Sequence, residues 1–221
     1  MDKNKCPQCG LINLGTDSSC RRCGSSFVEE PHQDDRDESS PRKRGVVRRL
    51  IWIVGVTLLL LFGFYFSLLL TSNDLGFQQR EVVGRAVTIL EQRGFSKEAF
   101  IVGHLATYRS SDNWWNTYVG HGDAYAATNF PFEVLTLYPE FFQVSVDDNE
   151  RAAMLLHEAY HLLGSGEDAA LEGVWRNKNA LGWTRATYAQ SKVWNNTREL
   201  TMNRLPGLFQ CGNDGKSDCF E

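Results

Sequence analysis

The longest uncharged segment of the chain limits its architecture most strongly. Residues 50–70 contain no charged side chain and are rich in Leu, Ile, Val and Phe. As a helix, this segment would be about 31 Å long, which matches the hydrocarbon core of a bilayer. It is too long for the apolar part of a signal peptide, begins far from the N-terminus and lacks an A-x-A-like cleavage site. We therefore predict a transmembrane helix at Leu50–Leu70.

Basic residues flank this segment on one side only. They are Arg42, Lys43, Arg44, Arg48 and Arg49, and no Lys or Arg follows the segment until Arg80. Because positive residues favour the cytoplasmic side of a membrane, the N-terminus is expected to be cytoplasmic. The chain is then a single-pass membrane protein whose residues 71–221 form an extracytoplasmic domain. Its net charge of −4 and the lack of a concentrated basic face argue against nucleic-acid binding.

Four of the six cysteines lie near the N-terminus in two CxxC motifs, Cys6-Pro-Gln-Cys9-Gly and Cys20-Arg-Arg-Cys23-Gly. Four thiolates at this spacing are typical of a structural zinc site. A segment this short buries too little apolar surface to fold alone, so zinc would supply its folding free energy. We predict a zinc ribbon at residues 1–27, which resembles the small ribbons at the N-termini of many membrane proteins and has a possible protein partner. Two disulfides or a redox motif are the alternatives.

Residues 28–49 are polar, rich in charge and interrupted by proline, and they are predicted to form a disordered charged linker. The remaining cysteines, Cys211 and Cys219, enclose the turn-favouring segment GNDGKSD. A disulfide between them is expected in an oxidising compartment, which agrees with the predicted orientation. Two free thiols are the alternative.

The segment LLHEAYHLLGSGED, from Leu155 to Asp168, contains an HExxH pattern. On a helix, His157 and His161 project from one face, so both imidazoles can reach one metal ion. Glu158 lies beside them and is the candidate catalytic base for water that zinc activates. Asp147 and Glu150 form a possible capping box before this helix, and Gly164 is a C-terminal stop. The alternative is a core helix whose histidines are merely hydrogen-bonded.

Three carboxylates follow the second histidine and compete as the third metal ligand. We favour Glu167, because Gly164 and Gly166 allow sharp bends that return the chain towards His161. Glu172 would be a ligand carried by the next helix, whereas Asp168 would orient a histidine from outside the metal site. The alternative is that Glu167 and Asp168 only stabilise the N-terminus of that helix.

The motif and its continuation to Glu167 resemble the zincin metallopeptidases. HExxHxxGxx followed by a ligand is similar to the metzincin extension, although Glu167 replaces the usual third histidine and a glutamate ligand is typical of gluzincins. The resemblance implies an α+β zincin-like domain, one catalytic zinc besides the structural one, and hydrolysis of a peptide or protein substrate. It also implies that an upstream edge strand holds the substrate. The alternative is a non-enzymatic membrane sensor or scaffold whose cytoplasmic ribbon binds a partner.

Hydrophobic periodicity predicts the other elements of the domain. Helices are expected at Leu75–Gln92, Ala169–Asn179 and Thr187–Asn203, with Trp175, Trp183 and Trp194 in the core. Strands are expected at Phe100–Tyr108, Phe132–Tyr138 and Phe141–Val146. His104 and His121 have no spacing relation to His157, so they are interpreted as structural residues.

Overall fold

The computed structural model describes residues 3–27, 41–120, 124–212 and 217–221. Most of the predicted linker, residues 28–40, and also His121 lie outside the described residues. The fold is mixed α+β, and the chain divides into two compact units, Met1–Ile53 and Val54–Glu221.

The first unit contains a small cysteine-rich hairpin. Strand β1 (Lys3–Lys5) pairs antiparallel with β2 (Ile12–Leu14). Each CxxC motif closes a tight turn, because the N–H groups of Gly10 and Gly24 donate to the carbonyls of Cys6 and Cys20. Both glycines have φ of +73°, a conformation that costs other residues energy. The glycine after each CxxC motif is therefore required by the turn.

Helix α1 extends over Pro41–Leu70. Its part from Gly45 to Leu70 is long and apolar enough to cross a membrane. The helix begins at Pro41, so the last residues of the predicted linker are helical. Side chains from Leu50 to Gly63 are exposed, whereas Phe64 and Tyr65 are partly buried and Leu68 is fully buried. The last two turns of the apolar helix thus belong to the packing of the second unit.

The second unit adds eight further helices and a three-stranded sheet within the described residues. The helices are α2 (Phe77–Gln92), α3 (Ser96–Phe100), α4 (Trp114–Val119), α5 (Pro139–Gln143), α6 (Asp148–Leu162), α7 (Glu167–Leu181), α8 (Arg185–Tyr188) and α9 (Lys192–Arg204). The strands are β3 (Thr107–Arg109), β4 (Ala126–Asn129) and β5 (Val134–Leu137). A π-helical turn occupies Ile101–Leu105, and a 3-10 turn occupies Pro206–Phe209.

The sheet has the order β3-β5-β4, with β5 parallel to β3 and antiparallel to β4. Every residue of β5 is buried, and it lies within the predicted strand Phe132–Tyr138. The predicted strand Phe141–Val146 is wrong, because α5 occupies this region. Pro139 stands in the first turn of α5 after an extended Tyr138, a position that suits its fixed φ. The predicted strand Phe100–Tyr108 is mostly helical and reduces to β3.

The core forms where α6 packs between α2 and α7. Trp175, Trp183 and Trp194 are all buried, and the ring of Trp194 lies 5.2 Å from that of Trp175 and 4.8 Å from that of Trp183. Their predicted place in the core is confirmed. The predicted helix Thr187–Asn203 is divided into α8 and α9, because Ser191 accepts hydrogen bonds from the N–H groups of Val193 and Trp194 and starts a new helix.

The C-terminal residues are fixed to α7. The predicted disulfide between Cys211 and Cys219 is present. Beside it, the ammonium group of the buried Lys178 lies 2.8 Å from Asp218 Oδ2 and donates to the carbonyl of Phe220 at 3.0 Å. A buried charge requires such partners, so the disulfide and the ion pair together hold the end of the chain against the core.

Candidate metal centres

Helix α6 begins at a polar cap that also anchors it to the core. Asp147 accepts a hydrogen bond from the N–H of Glu150 at 2.9 Å, as the capping box requires. The return bond differs, since Glu150 accepts from the N–H of Val146 at 2.9 Å. The fully buried Glu150 also accepts from Ser191 and from the indole of Trp183. Only one of the two hydrogen bonds of the expected capping box is therefore present. The second carboxylate oxygen of Glu150 accepts hydrogen bonds from core side chains.

The other end of α6 brings three candidate ligands together. The Nε2 atoms of His157 and His161 are 3.0 Å apart, and the Glu167 carboxylate lies 3.5 Å from the first and 3.2 Å from the second. Tetrahedral ligands of zinc lie about 3.3–3.5 Å from one another. Two imidazoles and one carboxylate are also the ligand set of several catalytic zinc sites. The spacing and the chemistry of these donors therefore fit zinc.

A tight turn explains why Glu167 reaches the histidines. Gly164, with φ of +84°, ends α6, and its N–H donates to the carbonyl of His161 at 2.9 Å. Gly166 does not form the second sharp bend that the sequence allows. It is extended, with φ of −74°, and is the residue before α7. Glu167 is consequently the first residue of α7, and it faces the end of α6.

The competing carboxylates have other partners. Asp168 pairs with Arg204 at 2.6 Å, and Glu172 pairs with Arg176 at 2.6 Å. Neither belongs to the group formed by His157, His161 and Glu167. Because Glu167 also occupies the first turn of α7, its carboxylate can favour the helix N-terminus and face the histidines at once.

The three side chains of the cluster interact strongly with one another. The hydrogen bond with Glu167 is the main cause that raises the pKa of His161 to about 9, against the opposing effect of burial. Hydrogen bonds from His157 and His161 hold the pKa of the Glu167 carboxyl well below its usual range. His161 Nδ1 also lies 2.9 Å from the carbonyl of Ser165. In the neutral imidazole, donation from Nδ1–H to this carbonyl leaves Nε2 without a proton and ready to bind a metal.

Glu158 lies beside the ligands but outside their group. It is buried, and its Oε2 atom accepts a hydrogen bond of 2.6 Å from the hydroxyl of Thr128 in β4. This contact fixes the rotamer of the candidate base. The role of Thr128 could not be predicted from the sequence, because the segment AATN is short and has no alternating pattern that would indicate a strand.

His157, Glu158, His161 and Glu167 line one cleft of about 560 Å³. Strand β4, one of the two edge strands of the sheet, forms one wall with Ala126, Ala127 and Thr128, and α9 contributes Asn196, Thr197 and Leu200. Asn196 donates a hydrogen bond of 2.8 Å to the hydroxyl of Tyr125. The cleft thus joins the metal-ligand group to an edge strand that the sequence did not reveal.

The first unit holds a second candidate centre. The sulfur atoms of Cys6 and Cys23 are 3.6 Å apart, those of Cys9 and Cys20 are 3.5 Å apart, and all four lie within 4.8 Å of one another. Sulfur ligands of a tetrahedral zinc are separated by about 3.8 Å. The N–H groups of Cys23 and then Arg22 lower the pKa of the Cys20 thiol to about 6. This four-cysteine cluster is therefore able to bind a metal ion.

His104 belongs to neither cluster. His104 is in the π-helical turn and stacks on Phe100, with ring centroids 5.0 Å apart. Across the described ranges, the two clusters above are the only groups of three or more His, Cys, Asp or Glu side chains close enough to share an ion.

No known protein family, curated protein or solved structure matches the chain.

Proposed function

We propose that this chain is a membrane-anchored zinc metallopeptidase of zincin type. The observation that carries the proposal is the convergence of His157, His161 and Glu167 in a cleft, with Glu158 next to them. A site that only stabilises structure has no need for an adjacent carboxylate or an open cleft. Both features argue for catalysis over the alternative of a non-enzymatic sensor or scaffold.

The three ligands would hold the zinc, and Glu158 would act as general base. When bound, zinc supplies a Lewis acid that polarises the scissile carbonyl and lowers the pKa of water to about 7. Thr128 occupies one oxygen of Glu158, so the other oxygen accepts the proton of the attacking water. Glu158 then delivers this proton to the leaving amine. The fixed rotamer matters because proton transfer requires hydrogen-bond distance.

Strand β4 would bind the substrate backbone. The N–H of Tyr138 donates to the carbonyl of Tyr125, and this bond shows which residues of β4 direct their backbone groups towards β5. By alternation, the backbone groups of Ala126 and Thr128 face away from β5. An extended peptide can pair with them and add a strand to the sheet. The apolar cleft residues Met154, Leu171 and Leu200 favour apolar side chains near the scissile bond.

The remaining parts of the chain complete the proposal. The apolar part of α1 crosses the membrane once, with the N-terminus in the cytoplasm and the hydrolase on the other side. The four-cysteine cluster holds a structural zinc in the reducing compartment and provides a surface for a protein partner. The disulfide between Cys211 and Cys219 belongs to the oxidising side.

The decisive experiment compares Glu158→Gln with the wild type, both as full-length protein in detergent. We expect two zinc ions per chain in both forms by elemental analysis. Hydrolysis of unfolded casein by Glu158→Gln should fall by about 10²–10⁴-fold, the usual contribution of a general base. Glu172→Gln is the matched control, because Glu172 contacts Arg176 on the surface of α7 and should be dispensable.

Two outcomes would contradict the proposal. Equal hydrolysis by wild type and Glu158→Gln would remove Glu158 from the mechanism. A folded protein that contains only the zinc of the four-cysteine cluster and hydrolyses nothing would favour the sensor or scaffold.

A further inference from the structure

Aromatic residues of the second unit surround the end of α1. The ring of Phe64 lies 5.6 Å from Trp114, 6.0 Å from Trp115 and 5.0 Å from Phe132. We call Trp114, Trp115, Tyr118, Phe130 and Phe132 the aromatic collar.

Hydrogen bonds fix the collar to the helix. The indole of Trp114 donates to Ser67 at 3.0 Å, and its backbone N–H donates to Thr71 at 3.2 Å. Tyr65 shares a hydrogen bond of 3.2 Å with Thr107 in β3. Together with the buried Leu68, these contacts leave no flexible stalk between the helix and the domain.

The length of α1 then determines how far the collar lies from the membrane. From Leu50 to Gly63, the helix rises about 21 Å. The hydrocarbon core of a bilayer is about 30 Å thick. A span that begins after Arg49 therefore reaches the collar before it has crossed the bilayer. The turns of α1 from Phe64 to Leu70 must lie at the depth of the nearer leaflet.

The surface around these turns has the composition that this depth requires. On the other faces of α1, Phe66 is 55% exposed and Leu70 is 84% exposed. In the collar, Trp114 and Tyr118 are 40% and 80% exposed. Residues 113–120 include no Lys, Arg, Asp or Glu. Exposed Trp and Tyr in a segment that itself carries no charged side chain are typical of the membrane–water interface.

The collar is continuous with the rim of the cleft. A smaller cavity of about 220 Å³ is lined by Phe64, Trp115 and Phe132, together with Thr128 and Phe130. Thr128 and Phe130 also line the cleft that contains the candidate ligands. Phe130 is 59% exposed and connects the two surfaces. One end of the substrate-binding strand β4 therefore lies beside the collar.

We propose that the aromatic collar is immersed in the bilayer surface, and that the cleft accepts polypeptides lying on or emerging from this surface. The inference rests on the proposed membrane span and peptidase activity. The collar contacts the lipid of the nearer leaflet. The substrate class is a membrane-proximal, extended polypeptide segment, which reaches β4 past Phe130.

The first test measures contact between the collar and lipid independently of activity. Full-length Trp52→Phe protein is placed in phosphatidylcholine nanodiscs with or without 6,7-dibrominated acyl chains, which quench nearby tryptophans. Trp175, Trp183 and Trp194 are buried, so Trp114 and Trp115 should account for the quenching. We expect brominated lipid to remove roughly two fifths of the emission of five tryptophans. Additional Trp114→Phe and Trp115→Phe substitutions should abolish the loss. Equal emission in both lipids would overturn the proposal.

The second test compares two exposed valines, Val119 beside the collar and Val146 in the segment before α6, which are 61% and 66% exposed. An unfolded peptide is coupled through a terminal cysteine to maleimide-phosphatidylethanolamine in vesicles that contain the full-length protein. Val119→Asp should lower cleavage of this peptide by about threefold to tenfold, because the charge weakens insertion. Cleavage of the free peptide in detergent should stay unchanged. Val146→Asp should change neither the cleavage of the tethered peptide nor that of the free peptide.

These tests separate the inference from the proposed activity. If no peptide is cleaved by the wild type but brominated lipid quenches the collar, the peptidase assignment fails and the docked surface stands. If free peptide is cleaved without quenching, the activity stands and the docked collar is wrong. Equal effects of the two aspartates, or equal wild-type rates for tethered and free peptide, would overturn the membrane-proximal substrate.

Discussion

The side chain of Glu167 contacts both candidate histidine ligands and controls the protonation of one of them, His161. Its carboxylate spans His157 and His161, and it is the main cause of the raised pKa of His161. A cation must displace the proton of His161 before that residue can be a ligand. Protons and zinc therefore compete for His161.

This competition predicts the pH dependence of zinc binding. Because the pKa of His161 is raised to about 9, metal-free His161 is protonated below this pH and neutral above it. We expect the apparent zinc affinity to rise about tenfold per pH unit up to about pH 9 and then to level off. The zinc affinity is measured by competition with a chromophoric chelator, in a Cys6→Ser/Cys9→Ser variant that lacks the N-terminal site.

Two variants serve as the controls for this profile. Glu167→Ala should weaken zinc binding by orders of magnitude, and its profile should level off nearer the ordinary pKa of histidine, about 6.5. Glu172→Ala should leave the profile unchanged, because Glu172 contacts Arg176 instead. If Glu172→Ala alone weakens binding, the third ligand has been assigned to the wrong carboxylate.

At the scale of elements, the site depends on the close packing of α6 and α7. The two helices carry all three candidate ligands, and Gly173 of α7 lies against the ring of Tyr160 in α6. A Cβ atom at Gly173 would lie 2.5 Å from a ring carbon of Tyr160. The ring must move, or the helices must separate.

Alanine at two helical glycines tests this contact. Gly173→Ala should destabilise the protein by about 1–3 kcal/mol, the usual cost of overpacking, and should weaken zinc binding by shifting Glu167. Gly84→Ala in α2 is the control, because a Cβ there meets no atom within 4 Å. Helix propensity predicts that it stabilises by about 0.5–1 kcal/mol. Urea unfolding followed by tryptophan fluorescence measures both, and equal effects would show that the helices are not in close contact.

The sequence predicts elements whose signals are local and misses those that depend on tertiary contacts. Helix α6 is predictable because Asp147 caps it and Gly164 ends it within the chain itself. Strand β4 is not, since Ala126 and Ala127 favour no strand and become one only by pairing with β5. The partner of Glu158, Thr128, is hidden for the same reason. The residues Phe141 and Phe142 have a strand-like pattern, but Pro139 starts a helix there.

At the scale of the whole molecule, the two groups of cysteines need opposite redox conditions. Thiolates of the four-cysteine cluster must stay reduced to bind zinc, whereas Cys211 and Cys219 form a disulfide. Helix α1 is long and apolar enough to cross a membrane, and the proposed single crossing would resolve this conflict by placing the two kinds of cysteine in different redox compartments. The basic residues on the N-terminal side of the apolar segment predict that the four-cysteine cluster is on the cytoplasmic side.

The orientation can be tested by labelling cysteines in intact cells with a membrane-impermeant maleimide. After mild reduction, Cys211 and Cys219 should be labelled, because the proposed orientation places them on the outer side. Without reduction they should not react, since the disulfide occupies both thiols. Cys6, Cys9, Cys20 and Cys23 should react only after the cells are opened and zinc is chelated. A Cys211→Ser/Cys219→Ser variant should show no labelling in intact cells. Labelling of that variant would place the N-terminus outside and the proposed hydrolase in the cytoplasm.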